Sequence, residues 1–196
     1  MKTRHFSTCW LAGLVALALQ FPANAALDWR FPVGLSYASG INELGDAIQD
    51  NFGLSDHWFW PVGLSFQPYA EFDFGLGIGA SLGPLALVFI DRGWETDVSY
   101  TVPLGLDVRY TFFRKGNVSP YARAGFKYLL AGGDNLDSGD PGVFGAVGVE
   151  FLRKKRVNLG LEVGYCAAEV EVLEGRHGGP KNVKPYEFLI SVFAIF

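Results

Sequence analysis

Residues 98–112 read VSYTVPLGLDVRYTF. At every second position this stretch is aliphatic or aromatic: Val98, Tyr100, Val102, Leu104, Leu106, Val108, Tyr110 and Phe112. The intervening set is Ser99, Thr101, Pro103, Gly105, Asp107, Arg109 and Thr111. Side chains alternate across a β-strand, so such a segment has one oily and one polar face. Seven further stretches repeat the grammar: Trp29–Ala38, Trp58–Gln67, Phe72–Gly83, Tyr121–Leu130, Gly142–Phe151, Val157–Ala168 and Tyr186–Phe196. Across all eight, the 46 positions of the oily parity contain no charge, and only Gly145 among them is neither aliphatic nor aromatic. The other 44 hold nine charged residues and twelve glycines. An uncharged face of this extent is what hydrocarbon requires of a membrane-spanning strand set, so the sequence predicts an all-β, eight-stranded antiparallel up-and-down transmembrane barrel.

The start of the chain agrees. Lys2 and Arg4 precede an apolar run from Leu11 to Leu19 and then Ala23-Asn24-Ala25, the layout of a secretory signal peptide with a small-residue cleavage site. Residues 1–25 are therefore expected to be removed, leaving a barrel domain over 26–196. Cys9 leaves with the signal. Cys166 then has no partner for an internal disulfide and is read as a small buried residue facing the lumen. Residues 26–196 carry 14 Lys and Arg against 20 Asp and Glu, a net charge of minus 6. The longest apolar run after the signal, Leu85–Ile90, is far short of the ~20 residues of a spanning helix. A bilayer admits only helices and closed barrels. The predicted address of an exported chain with oily strands and no such helix is an outer membrane of the Gram-negative type.

The segments between the strands run 19, 4, 14, 8, 11, 5 and 17 residues, alternately long and short. Long outer loops (39–57, 84–97, 131–141 and 169–185) and short periplasmic turns produce that order. The four loops sum to minus 9, and the three turns, rich in Arg114, Lys115 and residues 153–156, to plus 5. Solvated rims account for this asymmetry. A sharper reading gives the acidic loops divalent cations shared with lipopolysaccharide phosphates. Aromatic residues gather at the strand ends, with Tyr37, Trp58, Trp60, Tyr100, Tyr165 and Tyr186 expected at the outer interface. Trp29, Phe66, Phe72, Tyr110, Phe112, Phe151 and Phe196 are expected at the inner one.

Nine ionisable residues have the lumen parity: Arg30, Asp73, Asp107, Arg109, Arg123, Lys127, Glu150, Glu162 and Glu187. Eight strands enclose a space that side chains just fill, and charges there must pair or meet water. The predicted result is a polar network that closes the lumen, centred on Arg109, Arg123, Glu150 and Glu162, in a protein with a structural or surface-interaction role. The alternative is a narrow pore or a small hydrophobic-ligand carrier, favoured by lumen-parity Phe59, Phe144, Leu189, Phe193 and Ile195.

Other signals are weak. Gly75-Leu-Gly77-Ile-Gly-Ala80 matches a loose dinucleotide pattern but lacks the following helix. Residues 134–140 lack the spacing and closing Glu of a calcium loop. Residues 42–52 suggest a turn or two of helix with Ile41, Leu44, Ile48 and Phe52 on its oily side. His57 and His177 lie in predicted loops, and no serine, threonine or histidine occupies the lipid face, so no nucleophile and base are paired by the pattern. The expectation is no enzyme, no metal and no cofactor. Acidic balance and address disfavour nucleic acid.

Pro120-Tyr121-Ala-Arg-Ala-Gly125, Gly148-Val-Glu150-Phe151, Leu161-Glu162-Val-Gly164-Tyr165 and the terminal Phe196 resemble the small outer-membrane β-barrel families typified by the OmpA transmembrane domain. The resemblance spans the chain after the signal and specifies a class. It implies that Phe196 is the terminal aromatic signal read by the barrel assembly machinery. It further implies a monomer surrounded by outer-membrane lipid and lipopolysaccharide, with the four long loops open to an extracellular ligand. The sequence stops at Phe196, so no peptidoglycan-binding domain is expected to follow.

Overall fold

The computed structural model describes residues 27–52, 57–91, 96–133, 135–174 and 178–196. The proposed signal segment lies outside them. In chain order the elements are β1 (Leu27–Arg30), β2 (Pro32–Ala38), α1 (Ile41–Phe52), β3 (His57–Phe59), β4 (Val62–Phe66), β5 (Tyr69–Phe72), β6 (Leu76–Leu82) and β7 (Ala86–Asp91). They continue as β8 (Thr96–Thr111), β9 (Val118–Gly132), β10 (Leu136–Gly139), β11 (Pro141–Phe151), β12 (Asn158–Cys166), β13 (Val170–Val172), β14 (Lys181–Val183) and β15 (Phe188–Ile195).

Twelve of these segments build eight barrel strands, because β1–β2, β3–β4–β5 and β6–β7 are interrupted single strands. Antiparallel pairing runs between neighbours throughout and closes where β15 meets β2, from Leu189 opposite Ala38 to Ile195 opposite Pro32. Phe31 N donates to Phe196 O at 3.0 Å and continues the seam to the end of the chain. Closure joins the first and last strands, so among the described residues the barrel sheet has no terminal strand left open to hydrocarbon. The predicted outward parity is the exposed one. Leu64 and Leu106 present 70% and 73% of their surface, while Ser65 and Arg109 on the opposite parity are buried.

Two predicted boundaries move. The expected turn at residues 68–71 is strand, and strand two continues through β5 with its parity intact: Gln67, Tyr69 and Glu71 point inward. The turn is instead at residues 73–75, where Gly75 has φ of +94°, a conformation glycine adopts without cost. The expected loop 84–97 is largely strand, β7 and the start of β8, with its tip at residues 92–95 outside the described residues. The cause is a bulge. Pairing of β8 shifts from Leu82 opposite Leu104 to Ala86 opposite Thr101, so three residues oppose two. Pro103 lies at the shift, where a missing backbone donor removes no ladder bond, and Gly83 N donates to its carbonyl at 3.0 Å. The bulge inverts the parity, so Ala86 and Val88 face inward.

The outer loops also carry structure. The helix expected at 42–52 is a full three turns, α1, burying Ile41, Leu44, Ala47 and Ile48. The loops at 131–141 and 169–185 contribute β10, β13 and β14, which form a separate three-stranded sheet. Leu136, Val170, Val172 and Val183 of that sheet join the buried α1 residues and the lumen side chains Leu129, Phe144, Cys166 and Leu189 in one apolar cluster. Asn51 fastens helix to loop by donating to Leu173 O at 3.1 Å and Gly179 O at 3.0 Å. This end of the barrel is thus covered by a cap whose apolar core is continuous with the adjoining lumen.

Tyr186 is a correction. Parity placed it at the outer lipid interface, whereas it is fully buried, with its hydroxyl 2.8 Å from Thr101 Oγ1 and 2.9 Å from Pro84 O. Strand eight begins only at Phe188, and the preceding turn folds Tyr186 beneath the cap. The side chains of Trp58 and Phe59 lie outside the described residues.

Candidate functional site in the barrel lumen

Strand pairing sets the polar side chains in tiers. At the end of the barrel that carries the short turns, its base, β5 carries Tyr69 and Glu71 inward. Glu71, fully buried, is met by Arg153 Nη2 and by Arg114 Nε at 3.2 Å, each from a different short turn. Arg114 also reaches Asp73 at 3.0 Å and Asp28 at 3.6 Å. Burial works against the Arg114 guanidinium, but the hydrogen bond and charge of Glu71, with Asp73 and Asp28, hold its pKa above the ordinary arginine value. Arg153 Nε lies 3.3 Å from Glu150, joining base to middle.

The middle tier is centred on Arg109. Its guanidinium lies between two rings, 4.5 Å from the Tyr69 centroid and 3.5 Å from that of Tyr121, and pairs with Glu150. Tyr69 donates to Glu150 at 2.7 Å and Tyr121 to Glu162 at 3.0 Å. Arg123 spans the next level, 3.1 Å from both Asp107 and Glu162, and also meets Gln67. Each of these ions has an opposite charge beside it, and the two tyrosine hydroxyls add hydrogen bonds to Glu150 and Glu162, which lowers the cost of burying the charges. On the far side, Ser36 is 2.7 Å from Ser191 and also bonds Ser65, a hydroxyl ladder across strands eight, one and two.

Of the nine predicted lumen residues, Asp107, Arg109, Arg123, Glu150 and Glu162 share this network. Arg30 lies at the base and pairs with Asp28, its Nε donating at 2.9 Å. Lys127 stands above, buried, with Nζ 4.0 Å from the Phe144 ring centroid and no ion pair among the described residues. Asp73 is in the turn, 55% exposed, and pairs with Arg114 outside the lumen. Glu187 lines a polar cleft of the outer cap with Glu43, Asp46, Glu169, Lys181 and Lys184. No three Asp, Glu, His or Cys side chains converge as a metal-binding group among the described residues.

Sequence reasoning missed Glu71, Tyr69, Arg114 and Arg153. The signal was present in the unbroken inward parity Gln67, Tyr69, Glu71, which runs straight through Pro68.

A family model described as "Outer membrane protein beta-barrel domain" matches residues 9–196. The chain belongs to the outer membrane protein β-barrel domain family. No curated protein sequence matches it significantly. Among solved structures it is similar to the outer membrane protein OprG from Pseudomonas aeruginosa, with 11% identity, a TM-score of 0.54, and coverage of 87% of this chain and 95% of that one. At this identity the likeness speaks for the fold. Membership of the family supports the outer membrane as the place where the oily face meets lipid.

Proposed function

We propose that this family member is a closed outer-membrane barrel with a structural or surface-interaction role, exported by the signal at residues 1–25 and not enzymatic. The observation that carries the reading is the packing of Arg109 between Tyr69 and Tyr121 while it pairs with Glu150, next to Arg123 bridging Asp107 and Glu162. Eight strands leave little more cross-section than these side chains occupy. Above them Phe144 and Leu189 belong to the buried cluster of the cap, which favours closure over a space for a carried ligand. The outer loops, with α1 and the small sheet exposed on their far side, are the surface offered to an extracellular ligand. Phe196, at the end of the closing seam, suits recognition by the assembly machinery, and the barrel is read as a monomer.

Recording from planar bilayers tests the closure. The refolded chain is expected to show no discrete conductance steps, and Arg123→Ala combined with Glu162→Ala is expected to introduce them. Steady single-channel steps from the unmodified chain overturn the closed reading.

A further inference from the structure

Residues 112–118, FFRKGNV, and 151–157, FLRKKRV, are one turn written twice. Each opens on an aromatic strand end and then places a bulky apolar residue in the left-handed region, Phe113 at φ 50° and Leu152 at φ 59°. Each closes with the same backbone bond: Gly116 N donates to Phe113 O at 2.7 Å, and Lys155 N donates to Leu152 O at 2.8 Å. Non-glycine residues are uncommon in this region, and bulky ones more so. Here the conformation turns two apolar side chains out of the fold, with Phe113 79% exposed and Leu152 exposed beside it.

The basic residues that follow divide into two sets. The first arginine of each turn, Arg114 and Arg153, goes inward to Glu71. Lys115, Lys154, Lys155 and Arg156 go outward, are exposed, and form no ion pair among the described residues. The two turns are neighbours: Val118 pairs with Phe151, and Arg153 N donates to Asn117 O at 3.3 Å. Four unneutralised cations and two outward apolar side chains therefore share one rim. A shallow cleft adjoins it, lined by Phe74, Tyr110 and Phe113 and by the charged Arg114, Lys115 and Asp73, whose carboxylate pairs with Arg114.

Water alone suits the cations but not Phe113, and hydrocarbon alone suits Phe113 but not the cations. A phospholipid headgroup region suits both, because basic residues beside a bilayer are drawn to anionic lipid while apolar neighbours enter its chains. We propose that this rim is a binding site for anionic phospholipid. Lys115, Lys154, Lys155 and Arg156 hold phosphate, and an acyl chain lies over Phe113 and Phe74. In an outer membrane the lipid comes from the inner leaflet, which rests on the reading of these short turns as periplasmic.

The test uses the full chain refolded into phosphatidylcholine vesicles and spin-labelled lipids added at trace level. The motionally restricted fraction is expected to be larger for labelled phosphatidylglycerol than for labelled phosphatidylcholine. The preference is expected to vanish with Lys115, Lys154, Lys155 and Arg156 all changed to Gln, and to survive Lys181→Gln with Lys184→Gln at the opposite rim. High salt applied to the unmodified chain is expected to suppress it, since screened charges lose their pull, and this arm needs no variant to fold. Equal restriction of the two lipids, a preference kept by the fourfold variant, or one indifferent to salt overturns the proposal. Symmetric vesicles impose no orientation, so an error in assigning the periplasmic side leaves the outcome unchanged. Loss of the barrel itself is seen separately, as loss of the faster gel mobility of the unheated protein.

Discussion

Arg153 lies against Glu71 across the base of the barrel, 82 residues earlier in the chain, and the two side chains are 2% and 0% exposed. Arg114 reaches the same carboxylate from the adjacent turn. One buried acid on β5 thus ties two of the short turns to the second barrel strand. Removing one partner of a buried pair leaves an uncompensated charge, which is far costlier than losing an exposed pair.

Glu71→Gln is accordingly expected to destabilise the barrel by about 3 kcal/mol, because Arg153 and Arg114 lose the carboxylate that they share and the buried Arg153 keeps only Glu150, 3.3 Å away. Asp73→Asn, which removes an exposed partner of the same arginine cluster, is expected to cost under about 1 kcal/mol. Urea titration of the protein folded in phosphatidylcholine vesicles, followed by tryptophan fluorescence, measures both. Similar costs for the two would show that Glu71 is solvated in the membrane-bound protein.

Lys127 and Arg123 are buried to a similar degree but differ in pairing. Lys127→Met keeps the stem over Phe144 and removes an ion with no salt bridge, so it is expected to be neutral or to stabilise by about 1 kcal/mol or more. Arg123→Met strands Asp107 and Glu162 and is expected to cost about 3 to 5 kcal/mol. The same titration separates them, and a loss on Lys127→Met as large as on Arg123→Met would mean that the lysine charge is satisfied.

Depth in the bilayer gives a third contrast. Leu106, at the middle of β8 and 73% exposed, points into hydrocarbon, while Leu152 sits in a turn at the interface. Leu106→Arg is expected to cost about 2 to 4 kcal/mol and Leu152→Arg no more than about 1 kcal/mol. Equal penalties would contradict the placement of the membrane around these strands.

The barrel was readable from residues such as Leu104, Leu106 and Val108 because β8 is one uninterrupted strand, and an uninterrupted strand preserves parity from end to end. Legibility failed where the backbone breaks that rule. At Gly83–Pro84 the bulge moves inward-facing positions to the other parity, so Ala86 and Val88 read as loop. Tyr186 failed for the opposite reason: apolar alternation runs unbroken from it into β15, and nothing local separates a buried turn residue from a lipid-facing one. The cap was out of reach because β13 and β14 are three residues each, too short to show a period, and their apolar contacts are supplied by α1 more than a hundred residues away. In the lumen, parity found the charges but not their partners. Ending the second strand at Gln67 leaves Tyr69 and Glu71, the residues that complete the network, in a turn.

Closure of the sheet between its first and last strands is the relation on which the membrane placement, the proposed closed lumen and the lipid-facing surface all depend. Leu35 and Val192 face each other directly across that seam, both toward lipid. Spin labels on cysteines at these two positions, in the full chain with Cys9→Ala and Cys166→Ala and refolded into vesicles, measure it. Directly opposed residues have Cβ atoms about 4.5 to 5.5 Å apart, so strong dipolar broadening is the expected spectrum. Two narrow, non-interacting label signals from folded protein would mean that the first and last strands are not neighbours, and would contradict the barrel.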